Sequence, residues 1–68
     1  MALQLCLNGE HREFPSPLTV EGLLGLLSLD PRKVAVERNL EIVPRSAYGK
    51  TPLADGDRIE IVAFVGGG

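Results

Sequence analysis

A single stretch of this chain carries an apolar helical face: Val20, Leu23, Leu24 and Leu27 fall at i, i+3, i+4 and i+7, with Thr19 ahead of them as an N-cap. A lone helix has no second helix on which to bury that face. The remaining residues must therefore supply a sheet, which constrains the chain to a two-layer α+β arrangement. Gly22 and Gly25 each weaken the helix by about 1 kcal/mol relative to alanine, so packing has to hold it. Pro31 is expected to close it.

The flanking segments supply the strands. Leu3, Leu5 and Leu7 alternate within Ala2 to Leu7, and Asn8-Gly9 is a hairpin signal leading into a second strand, Glu10 to Phe14. Pro15 and Pro17 are expected to end that strand. From Lys33 the alternation returns with Val34 and Val36, and Arg38-Asn39 leads to a short strand at Leu40 to Val43 before Pro44 interrupts. Residues 45 to 52 lack a clean period and read as an irregular connection. Ala54-Asp55-Gly56-Asp57 then turns into a last strand, Ile59 to Val65, expected to return beside the first.

Size and composition narrow the function. A chain of 68 residues buries only about 60% of the surface its unfolded form exposes, so a deep preorganised catalytic cavity is not expected. With 44% hydrophobic and 24% charged residues it reads as globular rather than disordered. A net charge of −2 and scattered cations argue against nucleic acid as a partner. Cys6 is the single cysteine, which excludes an internal disulfide and disfavours a zinc site; in a strand it reads as inert packing. His11 reads as a solvated residue. Asp55 and Asp57 read as turn residues bonding nearby backbone, with an acidic contact to a basic partner surface as the alternative. No apolar leader precedes the first strand, and no apolar stretch approaches the ~20 residues of a membrane span, so a cytoplasmic protein is expected.

The β-branched run Ile59 to Val65 passes directly into Gly66-Gly67-Gly68. Without Cβ atoms such a tail threads a narrow slot and presents its terminal carboxylate, and Val65 to Gly68 fully extended spans about 13 Å. Taken alone, the same glycines also fit a frayed terminus or a linker. Residues 1–65 are expected to form the domain and residues 66–68 a flexible tail. A chain that begins at Met1 and stops at Gly68 is expected to need no processing.

Several segments narrow the choice: Val34-Ala35-Val36-Glu37-Arg38-Asn39, Ile42-Val43-Pro44-Arg45-Ser46, Thr51-Pro52-Leu53-Ala54-Asp55-Gly56-Asp57, Ile59-Glu60-Ile61-Val62 and the ending Val65-Gly66-Gly67-Gly68. On these the whole chain resembles the ubiquitin-like β-grasp sulfur carriers, most closely the ThiS family of thiamine biosynthesis. The resemblance implies a mixed sheet of about four to five strands with one helix packed across one face. Members of the family often carry a polar residue, commonly histidine, where this chain has Ala63, and Ala63 is assigned no role.

The resemblance also implies a cycle. The C-terminal carboxylate, here that of Gly68, is adenylated with ATP by a ThiF-like adenylyltransferase. It is then converted to a thiocarboxylate (1-thioglycine) with sulfur from a donor such as a cysteine desulfurase, and a ThiG-like thiazole synthase receives the sulfur. Gly66 and Gly67 form the tail that enters the partner active site. The chain has no glycine-rich phosphate loop and no catalytic constellation, so ATP is expected on the partner enzyme, with no cofactor or metal on this chain. It is expected to be a protein co-substrate, not an enzyme. The small subunit of molybdopterin synthase, which shares the fold, the glycine end and the thiocarboxylate, is the alternative carrier. A noncovalent β-grasp interaction module is the alternative from another class.

Strand parity indicates where partners dock. If Ile59, Ile61, Ala63 and Val65 face the helix, then Arg58, Glu60, Val62 and Phe64 face outward beside Gln4, Cys6 and Ala35. Val62 and Phe64 are then exposed apolar residues at the root of the tail, the candidate docking residues.

Overall fold

The computed structural model describes residues 1–64. Strands β1 (Ala2–Leu7) and β2 (Glu10–Pro15) form a hairpin closed by Asn8 and Gly9, whose φ angles are 49° and 84°. Two consecutive left-handed residues make a type I′ turn, whose twist matches that of the strands. β2 runs through Pro15, which pairs with Ala2, one residue beyond the expected end at Phe14. Proline is accommodated because β2 is an edge strand.

Helix α1 (Val20–Leu26) starts as its sequence dictates, with the Thr19 hydroxyl accepting from the Gly22 N–H at 3.1 Å. It ends before Pro31, contrary to expectation. Ser28 adopts φ 58° and donates its N–H to the Gly25 carbonyl at 3.1 Å, while the Leu29 N–H reaches the Leu24 carbonyl at 2.9 Å. This pair of bonds is a Schellman cap, and Ser28 holds the left-handed position usually given to glycine. Pro31 opens a separate 3-10 turn, Pro31–Lys33, capped by the Asp30 side chain.

Strands β3 (Val34–Arg38) and β4 (Glu41–Val43) form a second tight hairpin. Asn39 and Leu40 occupy its turn at φ 52° and 71°, so Leu40 belongs to the turn and not to the strand expected there. The segment expected to be irregular holds a 3-10 helix, Arg45–Lys50, which buries Tyr48 and lets its hydroxyl donate to the Val34 carbonyl at 3.2 Å. Strand β5 (Arg58–Ala63) completes a five-stranded sheet in the order β2-β1-β5-β3-β4. β5 runs parallel to β1 and antiparallel to β3. Leu3, Leu5, Leu7, Val34, Val36 and Ile59 from the sheet meet Val20, Leu23 and Leu24 from α1 in one core. Each fully buried leucine there contributes about 1.5–3 kcal/mol, which outweighs the weak helix propensity of a segment with two glycines. Among the described residues no helix is long and apolar enough to cross a membrane.

Candidate functional site

β5 lies at the centre of the sheet and carries the chain toward the glycines. Gly66, Gly67 and Gly68, together with Val65, lie outside the described residues, and so does the expected boundary between domain and tail. Upstream of them the expected parity is realised. Ile59 is fully buried and Ile61 half-buried, whereas Val62 and Phe64 are 61% and 60% exposed. Phe64 is tied to the 3-10 turn ahead of β3 by its N–H, which donates to the Lys33 carbonyl at 2.8 Å. Ala63 borders an apolar groove of about 350 Å³ on the helix side, together with Leu27, Leu29, Val34 and Ile61.

A further exposed apolar residue, Ile42, lies on the outer face beyond those that strand parity on β5 indicates. Val62 pairs with Ala35, and Ile42 pairs with Glu37, two residues along β3 on the same face. Ile42 is 68% exposed on the edge strand, with Glu37 directly across from it and Glu60 beyond, so it stands apart from Val62 and Phe64 on the same face. The available signal was the alternation within β4, where Val43 turns inward and Ile42 therefore outward.

Other candidates are placed elsewhere on the sheet. Cys6 is half-buried on the outer face, opposite His11 on β2 and Arg58 on β5. Among the described residues no group of three or more His, Cys, Asp or Glu is arranged to hold a metal.

Asp57 is buried and its carboxylate is fully engaged. It accepts from the Arg38 Nε at 2.8 Å, the Asn39 Nδ2 at 3.0 Å and the Ala54 N–H at 2.8 Å. Burial pushes its pKa up, but the bonds from Ala54, Asn39 and Arg38 outweigh that and hold it below the ordinary value. The turn reading of Asp57 is met through Ala54, and its burial removes the contact with a basic partner surface. Asp55 differs from expectation: its carboxylate accepts from the Gln4 N–H at 2.7 Å, so it bonds β1 rather than nearby backbone.

A five-stranded mixed sheet around one helix, with an apolar outer face where the central strand departs toward a glycine end, defines a ubiquitin-like β-grasp protein of the sulfur-carrier class. The chain belongs to the ThiS family, whose model matches residues 4–68. It is 43% identical to the sulfur carrier protein ThiS of Bacillus subtilis, over 94% of this chain and 98% of that protein. A crystal structure of the thiamine biosynthesis protein ThiS from Geobacter metallireducens superposes with a TM-score of 0.83 at 35% identity, covering 97% of this chain and 100% of that one. The thiazole synthase of Paramagnetospirillum magneticum is 61% identical over 97% of this chain, which spans only 20% of that protein.

Proposed function

We propose that this domain carries sulfur for thiamine biosynthesis on the carboxylate of Gly68, and that ThiS-family membership over nearly the whole chain is the observation that carries this reading. A free carboxylate is a poor acylating agent, because attack on it would expel oxide. Adenylation solves this: the carboxylate attacks ATP on a ThiF-like adenylyltransferase, releasing pyrophosphate and leaving an acyl-adenylate. The terminal sulfur of a persulfide on a donor such as a cysteine desulfurase then attacks the acyl carbon and displaces AMP, and a thiol cleaves the resulting acyl disulfide, taking up the donor sulfur as a disulfide and leaving the thiocarboxylate. The domain supplies the reacting terminus and a recognition surface, while the partner supplies ATP binding and catalysis. It acts in the cytoplasm as a co-substrate and not as an enzyme.

A ThiG-like thiazole synthase is the proposed sulfur acceptor. The match to a fifth of a larger thiazole synthase supports this pairing, since it finds a domain of this kind within such a protein. Val62 and Phe64 are the proposed docking residues for the enzymes that act on the tail, supported by their exposure at its root. Mass spectrometry after incubation with ATP, the adenylyltransferase and a sulfur source tests the reading. Replacement of one oxygen by sulfur at Gly68 is expected; an unchanged mass alongside adenylation of a known carrier would sink it.

A further inference from the structure

Asn8 stands where β1 stops. The backbone of β1 pairs with β5 only at Cys6 and Leu7, opposite Arg58 and Ile59. Two bonds mark this stretch: the Cys6 N–H donates to the Asp57 carbonyl and the Asn8 N–H to the Ile59 carbonyl, both at 2.9 Å. In a continuing parallel ladder the next bond would run from the Ile61 N–H to the Asn8 carbonyl. Asn8, however, adopts φ 49° at the first position of the hairpin turn, which swings its backbone away from β5. Its side chain takes over. Oδ1 accepts from the Ile61 N–H at 2.8 Å, and Nδ2 donates to the Ile61 carbonyl at 3.3 Å. The carboxamide therefore imitates one more peptide unit of β1.

Beyond this clamp, β5 is gripped from the other edge. Val34 of β3 pairs with Ala63, and the Lys33 carbonyl holds the Phe64 N–H at 2.8 Å. Among the described residues, the hydrogen bonds reaching β5 from the β1 side end with the Asn8 carboxamide. The hairpin turn alone does not require that side chain, because glycine fills a left-handed turn position equally well.

We propose that Asn8 is a positioning residue, which by clamping Ile61 fixes the direction in which β5 delivers the tail to the enzymes acting on it. The role rests on the carrier reading above. The test measures adenylation at varied carrier concentration for the wild type, Asn8→Gly and Asn8→Asp, with amide exchange at Ile61 followed by NMR. Asn8→Gly keeps the turn and removes the clamp, whereas Asn8→Asp keeps the acceptor for the Ile61 N–H. For Asn8→Gly, faster exchange at Ile61 and a kcat lowered about tenfold at unchanged KM are expected, because the body docks normally while the tail arrives misaligned. Asn8→Asp recovers part of that loss. A wild-type kcat for Asn8→Gly, or a raised KM with kcat unchanged, overturns the positioning role alone. A wild-type protein that is never adenylated overturns the carrier reading and this role with it.

Discussion

Arg38 on β3 and Asp57, in the turn before β5, are joined by a hydrogen-bonded ion pair, Nε to Oδ2 at 2.8 Å. The Asp57 side chain is 8% exposed and that of Arg38 34%, so the pair is shielded on the carboxylate side. The same carboxylate binds Asn39, whose Oδ1 in turn accepts from the Arg58 N–H at 2.9 Å. One buried charge thus ties the β3–β4 turn to the entry of the central strand. Asp57→Ala removes the common acceptor and leaves several donors without a partner. It is expected to lower stability by about 2–3 kcal/mol in urea denaturation, while Asp55→Ala at its exposed site costs about 1 kcal/mol or less.

The same group sets a pH dependence. Because the folded-state pKa of Asp57 lies below the ordinary value of an aspartate, its stabilisation is fully present above that ordinary value and is lost as pH falls through the lower folded value. Asp30 is also lowered, to about 2, chiefly by the Arg32 side-chain hydrogen bond, but its surface pair contributes little. The urea midpoint of the wild type is therefore expected to fall on acidification below about pH 4, and that of Asp57→Asn to fall less steeply. Equal slopes for the two proteins would remove Asp57 from the account.

The two helix glycines make different predictions. A Cβ at Gly25 meets nothing within 4 Å, and the position is exposed. Gly25→Ala is expected to stabilise the domain by about 0.5–1 kcal/mol through helix propensity. At Gly22 a Cβ would lie 3.0 Å from the Leu18 Cδ1, so the same gain is offset by displacing Leu18. Thermal denaturation should raise the midpoint for Gly25→Ala and leave it nearly unmoved for Gly22→Ala.

What the chain reveals before folding depends on how local each determinant is. The hairpin and the helix face are legible because Leu3, Leu5 and Leu7 repeat at period two and Val20 to Leu27 at helical spacing. The helix end is not, because a serine performs the left-handed cap and Pro31 offers a stronger but later stop signal. The 3-10 helix around Tyr48 lacks the 3.6-residue period that marks an α-helix. Asp57 looks like one residue of a turn because Arg38 and Asn39 lie 19 and 18 positions earlier. The exposure of Val62 and Phe64 follows from parity along one strand, whereas adding Ile42 requires the order of β4, β3 and β5.

The tail makes a separate prediction. If a partner slot closes on bare backbone, a branched side chain at Gly67 obstructs it without touching the body. Gly67→Val is expected to retain the wild-type unfolding midpoint and to lose adenylation by at least about a hundredfold in kcat/KM. Adenylation at the wild-type rate would show that the slot does not read this position.

The outer apolar face is tested by contrast within one sheet. Phe64, Val62 and Ile42 are each at least 60% exposed, so truncation or a charge there removes little buried contact. Phe64→Ala, Val62→Asp and Ile42→Asp are expected to change stability by about 0.5 kcal/mol or less. If the activating enzyme grips this face, each raises KM for adenylation, about tenfold for the two at the root of the tail and less for Ile42 at the far edge. His11 lies on the same outer face, on the opposite edge strand β2, and His11→Ala is expected to leave KM unchanged. Equal effects from His11→Ala and Phe64→Ala would assign docking to the whole sheet; no effect from Val62→Asp and Phe64→Ala would move the docking surface off this face.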